Sequence, residues 1–147
     1  MKTLIEVLMV EDNRGDVILT EEAIIQARLP YRVHVVRDGS DAMVFVRRQG
    51  PFADAPRPDL IVLDLRLPRK GGREVLEELR SDPLWQTIPL VIVSSSRSEL
   101  ALAGPHALPS QCSMTKPSTF AGYVELVQAI EAFRQRVRAA NEGDTKT

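Results

Sequence analysis

The fold is decided by a stretch near the middle of the chain, Pro58-Asp59-Leu60-Ile61-Val62-Leu63-Asp64. Four consecutive apolar residues lie between a Pro-Asp pair and a single aspartate, a pattern typical of a short strand buried on both faces. Similar apolar runs occupy residues 4–10 and 89–93. Because such strands occur where helices cover both faces of a parallel sheet, the three runs favour an α/β protein.

The segments between these runs have the period of α-helices. Residues 15–28, 42–46 and 74–80 are predicted helices, and residues 32–36 and 113–115 are predicted strands. A long last helix is predicted from apolar residues that recur every three or four positions: Tyr123, Leu126, Ile130, Phe133 and Val137. The alternation predicts a flavodoxin-like, doubly wound, five-stranded parallel sheet in the order 2-1-3-4-5, with helices on both faces.

Two segments are expected to depart from this regular pattern. The fourth helix would fill residues 98–108, but Gly104-Pro105 and Pro109 interrupt it, so we expect it to be short or broken. Residues 141–147 are polar and contain Gly143, which indicates a short flexible tail after a domain at 1–140.

The bulk composition excludes several classes of protein. The chain has 147 residues, enough for one domain, and its net charge of −1 provides no basic field for nucleic acid. No apolar run is long enough to span a membrane, and the acidic residues near the N-terminus make a poor signal peptide. A single cysteine, Cys112, cannot form an internal disulfide. We therefore expect a cytoplasmic protein with no membrane or nucleic-acid partner.

Polar residues follow four of the predicted strands, where the carboxyl ends of parallel strands share one edge of the sheet. They are Glu11-Asp12, Asp64, Ser94 and Lys116-Pro117. Carboxylates that converge at neutral pH need a cation or a raised pKa, and all-oxygen ligands favour Mg²⁺. An aspartate such as Asp64 is an accepted nucleophile for phosphoryl groups. Lys116 and Ser94 would then bind phosphoryl oxygens.

Each motif alone also has an ordinary structural interpretation. Glu11-Asp12 could be solvated acids at a helix start, and Asp64 could be a helix cap or turn residue. Ser94 and Lys116-Pro117 are also common in turns. The order and spacing of the whole set favour a phosphoryl-transfer site.

As a set, these motifs resemble the receiver domains of two-component response regulators. The matching stretches are Val10-Glu11-Asp12-Asn13, Leu63-Asp64-Leu65-Arg66-Leu67-Pro68 with Gly72 after it, Ile92-Val93-Ser94, and Thr115-Lys116-Pro117. The continuation of the first motif to Val17, together with Ser81-Asp82-Pro83, is most similar to small single-domain regulators paired with phytochrome-type histidine kinases.

The resemblance implies a role for each site residue. Asp64 would accept phosphate from the phosphohistidine of a histidine kinase. Asp12 would bind Mg²⁺ directly, Glu11 directly or through water, and the backbone carbonyl of Arg66 would be a further ligand. Ser94 would move toward the phosphoryl group and Lys116 would bind it, which would make the chain a switch.

Further expectations concern backbone geometry and assembly. The Lys116-Pro117 bond is expected to be cis. A homodimer through the last strand and helix is expected, because receivers often form one and because the apolar stripe reaches Phe133 and Val137. Self-catalysed transfer and loss of the phosphoryl group are expected, rather than an enzyme acting on a separate metabolite.

Two residues depart from the family pattern. Ser113 stands where receivers usually carry the Tyr or Phe that relays the switch, so the usual aromatic relay is absent. Arg66 stands where many relatives have Asn or a small residue. It could pair with Glu11 or with the incoming phosphoryl group and so affect dephosphorylation.

Two alternative functions remain open at this point. A hydrolase of the haloacid-dehalogenase type would need a second Asp two residues after Asp64, where this chain has Arg66. A pseudo-receiver, an interaction module that is not phosphorylated, would usually lack a pocket acid or the lysine, and this chain has both.

Overall fold

The computed structural model describes residues 4–67, 70–103 and 108–146, and its sheet has five parallel strands in the order β2-β1-β3-β4-β5. The strands are β1 (Ile5–Val10), β2 (Tyr31–Val36), β3 (Leu60–Asp64), β4 (Leu90–Ser94) and β5 (Gln111–Thr115). The helices are α1 (Arg14–Gln26), α2 (Gly39–Val46), α3 (Gly72–Ser81), α4 (Arg97–Ala103) and α5 (Phe120–Lys146), with one 3-10 turn at Gly50–Phe52. The predicted flavodoxin-like sheet order is confirmed.

The apolar strands bury both of their faces, as the sequence pattern predicts. Leu8, Ile61 and Ile92 lie on the face that packs against α2 and α3. Val62 and Val91 lie on the opposite face, in the core with residues of α5, while α1 packs alongside α5. The central strands are therefore fixed between two helical layers, and their carboxyl ends are rigid supports for side chains.

The last helix corrects two of the sequence-based expectations. It continues to Lys146, whereas residues 141–147 were expected to form a flexible tail. Asn141 donates a side-chain hydrogen bond to the Thr87 carbonyl at 3.0 Å, which ties this turn to the domain body. Phe133 and Val137, interpreted as a dimer contact, are buried in the core at 7% and 6% exposure. They therefore no longer support a dimer.

The fourth helix is short, as the glycine and proline pattern predicts. It spans the seven residues Arg97–Ala103, and Gly104 and Pro105 lie outside the described residues. No helix in the described part of the chain is long and apolar enough to cross a membrane.

Gly72 permits a close approach between α3 and the end of β3. A Cβ atom at this position would lie 2.5 Å from the carbonyl oxygen of Asp64 and 2.6 Å from the Cα of Leu65. Both atoms belong to the backbone, so neither can rotate away. A residue without a Cβ is therefore needed for α3 to begin directly beside Asp64.

We expect Gly72→Ala to lower the free energy of unfolding by about 1–3 kcal/mol, because the new methyl group overpacks against backbone. Urea denaturation of the purified protein measures the change. Gly143→Ala is the matched control, because its Cβ would meet open space within α5 and alanine favours helix by up to ~1 kcal/mol. Equal stabilities for the wild type and Gly72→Ala would contradict the close approach.

Candidate functional site

The sheet brings Glu11, Asp64 and Lys116 into direct contact. Glu11 directly follows β1, Asp64 ends β3, and Lys116 directly follows β5. The Lys116 Nζ lies 2.8 Å from Glu11 Oε1 and 2.8 Å from Asp64 Oδ2. One ammonium group therefore bridges two carboxylates from adjacent central strands.

Asp64 is buried, and both of its carboxylate oxygens are held. Its Oδ1 accepts a hydrogen bond from the Arg66 backbone N–H at 2.9 Å, while its Oδ2 accepts one from Lys116. Only 4% of the residue is exposed. The carboxylate thus has a fixed orientation, which is what a positioned nucleophile requires.

Two residues that the sequence did not indicate as part of the site extend these contacts, Asp16 beside Lys116 and Tyr123 beside Asp16. Asp16, in the first turn of α1, accepts a hydrogen bond from Lys116 Nζ at 2.7 Å through its Oδ2. Its Oδ1 accepts one from the buried Tyr123 hydroxyl of α5 at 3.1 Å. Burial, together with Asp16, raises the pKa of Tyr123 to about 12, so the hydroxyl stays protonated and donates.

The charges in the pocket are incompletely balanced. Burial raises the pKa of the Glu11 carboxyl from its ordinary value of 4.5 to about 7, and the neighbouring Asp64 adds to this effect. Lys116 and the Asn13 backbone N–H act in the opposite direction but do not offset it. Burial alone would lower the pKa of Lys116, yet its hydrogen bonds to the three acids raise it. Burial thus favours the neutral form of Glu11, while the three acids favour the charged form of Lys116.

Ser94 and Arg66 are held by one carboxylate on α4. The Ser94 hydroxyl donates a hydrogen bond to Glu99 Oε2 at 3.2 Å, and Arg66 Nε donates one to Glu99 Oε1 at 3.2 Å. The proposed pairing of Arg66 with Glu11 is therefore wrong for this state. Glu11 is paired with Lys116 instead, and 63% of the Arg66 side chain is exposed.

A cleft of about 550 Å³ opens above these groups. Its lining residues include Glu11, Asp12, Asp64, Arg66 and Lys116. Asp12 is exposed, whereas Glu11 is buried. Among the described residues, no three acidic, histidine or cysteine side chains surround a point as a preformed metal site, since Lys116 lies between the carboxylates.

The donor atoms at this cleft nevertheless fit Mg²⁺. They are carboxylate oxygens, and a single ammonium, that of Lys116, contacts three of these acids, Glu11, Asp16 and Asp64. Mg²⁺ needs only one or two carboxylates from a protein, because it keeps several of its waters.

Two predictions concern residues in β5 or directly after it, the Lys116-Pro117 bond and Ser113. The Lys116-Pro117 peptide bond is trans, as are all peptide bonds among the described residues, so the expected cis proline is wrong. The trans form is the lower-energy isomer of an X-Pro bond. Ser113 is exposed on β5, opposite Ile92 of β4, and no aromatic side chain stands at that position.

Asp16 and Glu99 were not predicted as site residues, although each lies in a sequence pattern typical of a helix start. Asp16 lies three residues after Asn13, whose side chain caps α1 by accepting the Asp16 N–H at 3.0 Å. Glu99 stands three residues after Ser96 in a capping pattern. Acidic residues in a first helical turn are ordinary, so only the three-dimensional contacts distinguish these two.

Comparison with known proteins gives consistent matches over most of the chain. The model of the response regulator receiver domain family matches residues 7–120. Response regulator Rcp1 of Synechocystis sp. (strain ATCC 27184 / PCC 6803 / Kazusa) is 37% identical over 127 residues, 86% of this chain and 86% of that protein.

Two crystal structures are similar in both fold and sequence. The phosphorylated cyanobacterial phytochrome response regulator RcpA is 40% identical with a TM-score of 0.78, covering 88% of this chain and 93% of that one. The Mn²⁺-bound form of response regulator Rcp1 is 35% identical with a TM-score of 0.76, covering 87% and 92%.

The raised pKa of Glu11 predicts a pH-dependent stability. Between pH 4.5 and about 7 the folded protein binds more protons than the unfolded chain, so the free energy of unfolding falls as pH rises. Relative to Glu11→Gln, the wild type should lose roughly 1–3 kcal/mol between pH 5 and 7.5. Urea titrations in EDTA buffer measure this difference. A constant difference across the range would mean that Glu11 titrates normally.

Proposed function

The chain belongs to the response regulator receiver domain family, and on that premise we propose that Asp64 accepts a phosphoryl group from the phosphohistidine of a histidine kinase. Response regulators of this family are switches controlled by phosphorylation. The observation that carries the assignment to Asp64 is the contact of one ammonium, that of Lys116, with both Asp64 and Glu11 at 2.8 Å.

The transfer requires little chemistry from the protein beyond positioning. An oxygen of the Asp64 carboxylate forms a bond to phosphorus while the bond from phosphorus to the histidine nitrogen breaks. The electron pair of the broken bond stays on the imidazole, which takes up a proton from solvent. Asp64 is held for this reaction by the Arg66 backbone N–H and by Lys116. Later attack of water on the phosphorus returns Asp64 and releases phosphate.

We assign the metal ligands at the same cleft. Asp12, Glu11, Asp64 and the backbone carbonyl of Arg66 would hold Mg²⁺. A bound magnesium ion supplies neutralisation of charge on phosphoryl oxygens. The all-oxygen donor set supports this assignment, and the related Rcp1 has been crystallised in a Mn²⁺-bound form.

Lys116 and Ser94 respond to the new phosphoryl group. Lys116 is already 2.8 Å from Asp64 Oδ2, so it can bind a phosphoryl oxygen with a small displacement from Glu11 and Asp16. Ser94 ends the strand next to β3 and would rotate its hydroxyl from Glu99 to the phosphoryl group. These two movements constitute the switch.

The kinase partner is proposed to be of the phytochrome type. The support is the similarity to RcpA, a phytochrome response regulator that is 40% identical over most of both chains. A cytoplasmic location, predicted from the sequence, fits such a partner. A homodimer through β5 and α5 remains part of the proposal, and it now rests on β5 being an open edge of the sheet.

The alternatives have less support. A hydrolase of the haloacid-dehalogenase type would need an acid at position 66, where the Arg66 side chain is turned toward Glu99. A pseudo-receiver is not favoured, because the acids and the lysine of the pocket are in contact with one another.

We expect incubation with acetyl phosphate and Mg²⁺ to add one phosphoryl group, as measured by intact mass. Asp64→Asn should remove the adduct, and EDTA should prevent its formation in the wild type. Asp54→Asn is the matched control, because it makes the same chemical change at an exposed aspartate outside the cleft. An adduct that persists in folded Asp64→Asn, or a folded wild type that is never labelled, would refute the proposal.

A further inference from the structure

Glu99 makes contacts that an ordinary helix-capping residue does not make. In a capping box, the glutamate three residues after the N-cap serine turns back to the backbone N–H of that serine. Here the N–H of Ser96 donates instead to the Ser94 Oγ at 3.0 Å. The cap itself is kept, since the Glu99 N–H donates to the Ser96 Oγ at 3.4 Å. The Glu99 carboxylate is therefore available for other partners.

Its partners are two donors that flank the phosphorylation site. The Glu99 Oε2 accepts from the Ser94 hydroxyl and the Oε1 from Arg66 Nε, each at 3.2 Å. Ser94 is 1% exposed and ends β4, and Arg66 lies two residues after Asp64. One carboxylate thus holds the residue that ends β4 and a residue just after β3, the strand that ends in Asp64.

A phosphoryl group on Asp64 would compete for both donors. It carries a charge of about −1.5 to −2 and three strong acceptor oxygens, more than a single carboxylate offers. Its charge would also repel Glu99. The Ser94 hydroxyl has one hydrogen, so it can donate to Glu99 or to the phosphoryl group but not fully to both. Arg66 has five N–H donors, and the greater charge of the phosphoryl group attracts its guanidinium away from Glu99.

We infer that Glu99 is a positioning residue that holds the Ser94 hydroxyl and the Arg66 guanidinium away from Asp64 in the unphosphorylated protein, and that the phosphoryl group displaces it. This inference rests on the proposed phosphorylation of Asp64. Loss of both contacts releases the first turn of α4 from the end of β4. The change at Asp64 thereby reaches α4 without the aromatic residue that Ser113 replaces.

We call the two contacts of Glu99, with Ser94 and with Arg66, the latch. Its energy is suited to a reversible switch. Arg66 and Glu99 have 63% and 33% of their side chains exposed, so their ion pair is weak. The hydrogen bond from buried Ser94 is the stronger component. Loss of the Glu99 charge should therefore increase the fraction of molecules in which the latch is open by a factor on the order of three to ten.

The test compares phosphorylation rates by acetyl phosphate in Mg²⁺ for the wild type and Glu99→Gln. We expect the variant to react roughly three to ten times faster, because Ser94 and Arg66 are released. Glu74→Gln is the matched control: Glu74 is the third residue of α3, as Glu99 is of α4, and it is exposed. It removes the same charge from the same helical position and should leave the rate unchanged.

A double-mutant cycle separates the latch from a capping role. In an Arg66→Gln background, Glu99→Gln should accelerate the reaction less than in the wild type, because one of its two partners is already gone. A simple cap would give the same factor in both backgrounds. Should Glu99→Gln unfold the protein, Glu99→Asp replaces it. Its shorter side chain keeps the charge but should not reach both Ser94 and Arg66, so the phosphorylation rate should again rise less in the Arg66→Gln background than in the wild type.

The outcomes distinguish this inference from the function on which it rests. Suppose that the wild type is labelled. If Glu99→Gln and Glu74→Gln then react at the same rate, or if Glu99→Gln accelerates the reaction equally in both backgrounds, the latch alone is overturned. A folded wild type that is never labelled overturns the proposed function and the latch with it.

Discussion

The contact of Lys116 with Glu11 and Asp64 is the constraint on which the rest of the site depends. Two buried carboxylates at the ends of adjacent strands repel each other, and an isolated charge is costly to bury. A cation between them offsets this repulsion, and its hydrogen bonds to the acids in turn raise the pKa of Lys116. Lys116 contacts three carboxylates, those of Glu11, Asp16 and Asp64, so one ammonium does not balance the negative charge of the pocket. A site with this imbalance is suited to recruit a divalent cation and then a phosphoryl group.

The fold supplies this constraint through strand order. Placing β1 next to β3, with β4 and β5 following, brings residues separated by 52 positions, Asp64 and Lys116, to within 2.8 Å. The same order places Ser94 beside the nucleophile, while Gly72 lets α3 begin without a clash. Asp64 is fixed because it ends a buried strand, and Lys116 is held in place by three carboxylates until a phosphoryl group is added. The residues expected to move, Ser94 and Arg66, are held by a single carboxylate on a short helix.

Much of this arrangement could be predicted from the sequence, because buried parallel strands leave uninterrupted apolar runs and the acids and lysine follow them directly. Asp16 and Glu99 could not, since an acid in the first turn of a helix is common whether or not its side chain reaches a site. The isomer of the Lys116-Pro117 bond was mispredicted because the two forms differ by only about 0.5–1 kcal/mol. Burial of Phe133 depends on how far α5 extends along the sheet, which helical periodicity alone does not give.

The central claim is that Asp64 is the residue that becomes phosphorylated. Borohydride reduction of the phosphorylated protein, followed by peptide mapping, tests it most directly, because reduction converts an aspartyl phosphate to homoserine at the position that carried it. The account predicts homoserine at position 64 alone. Homoserine at position 12 or 16, or an adduct that resists reduction, would contradict it.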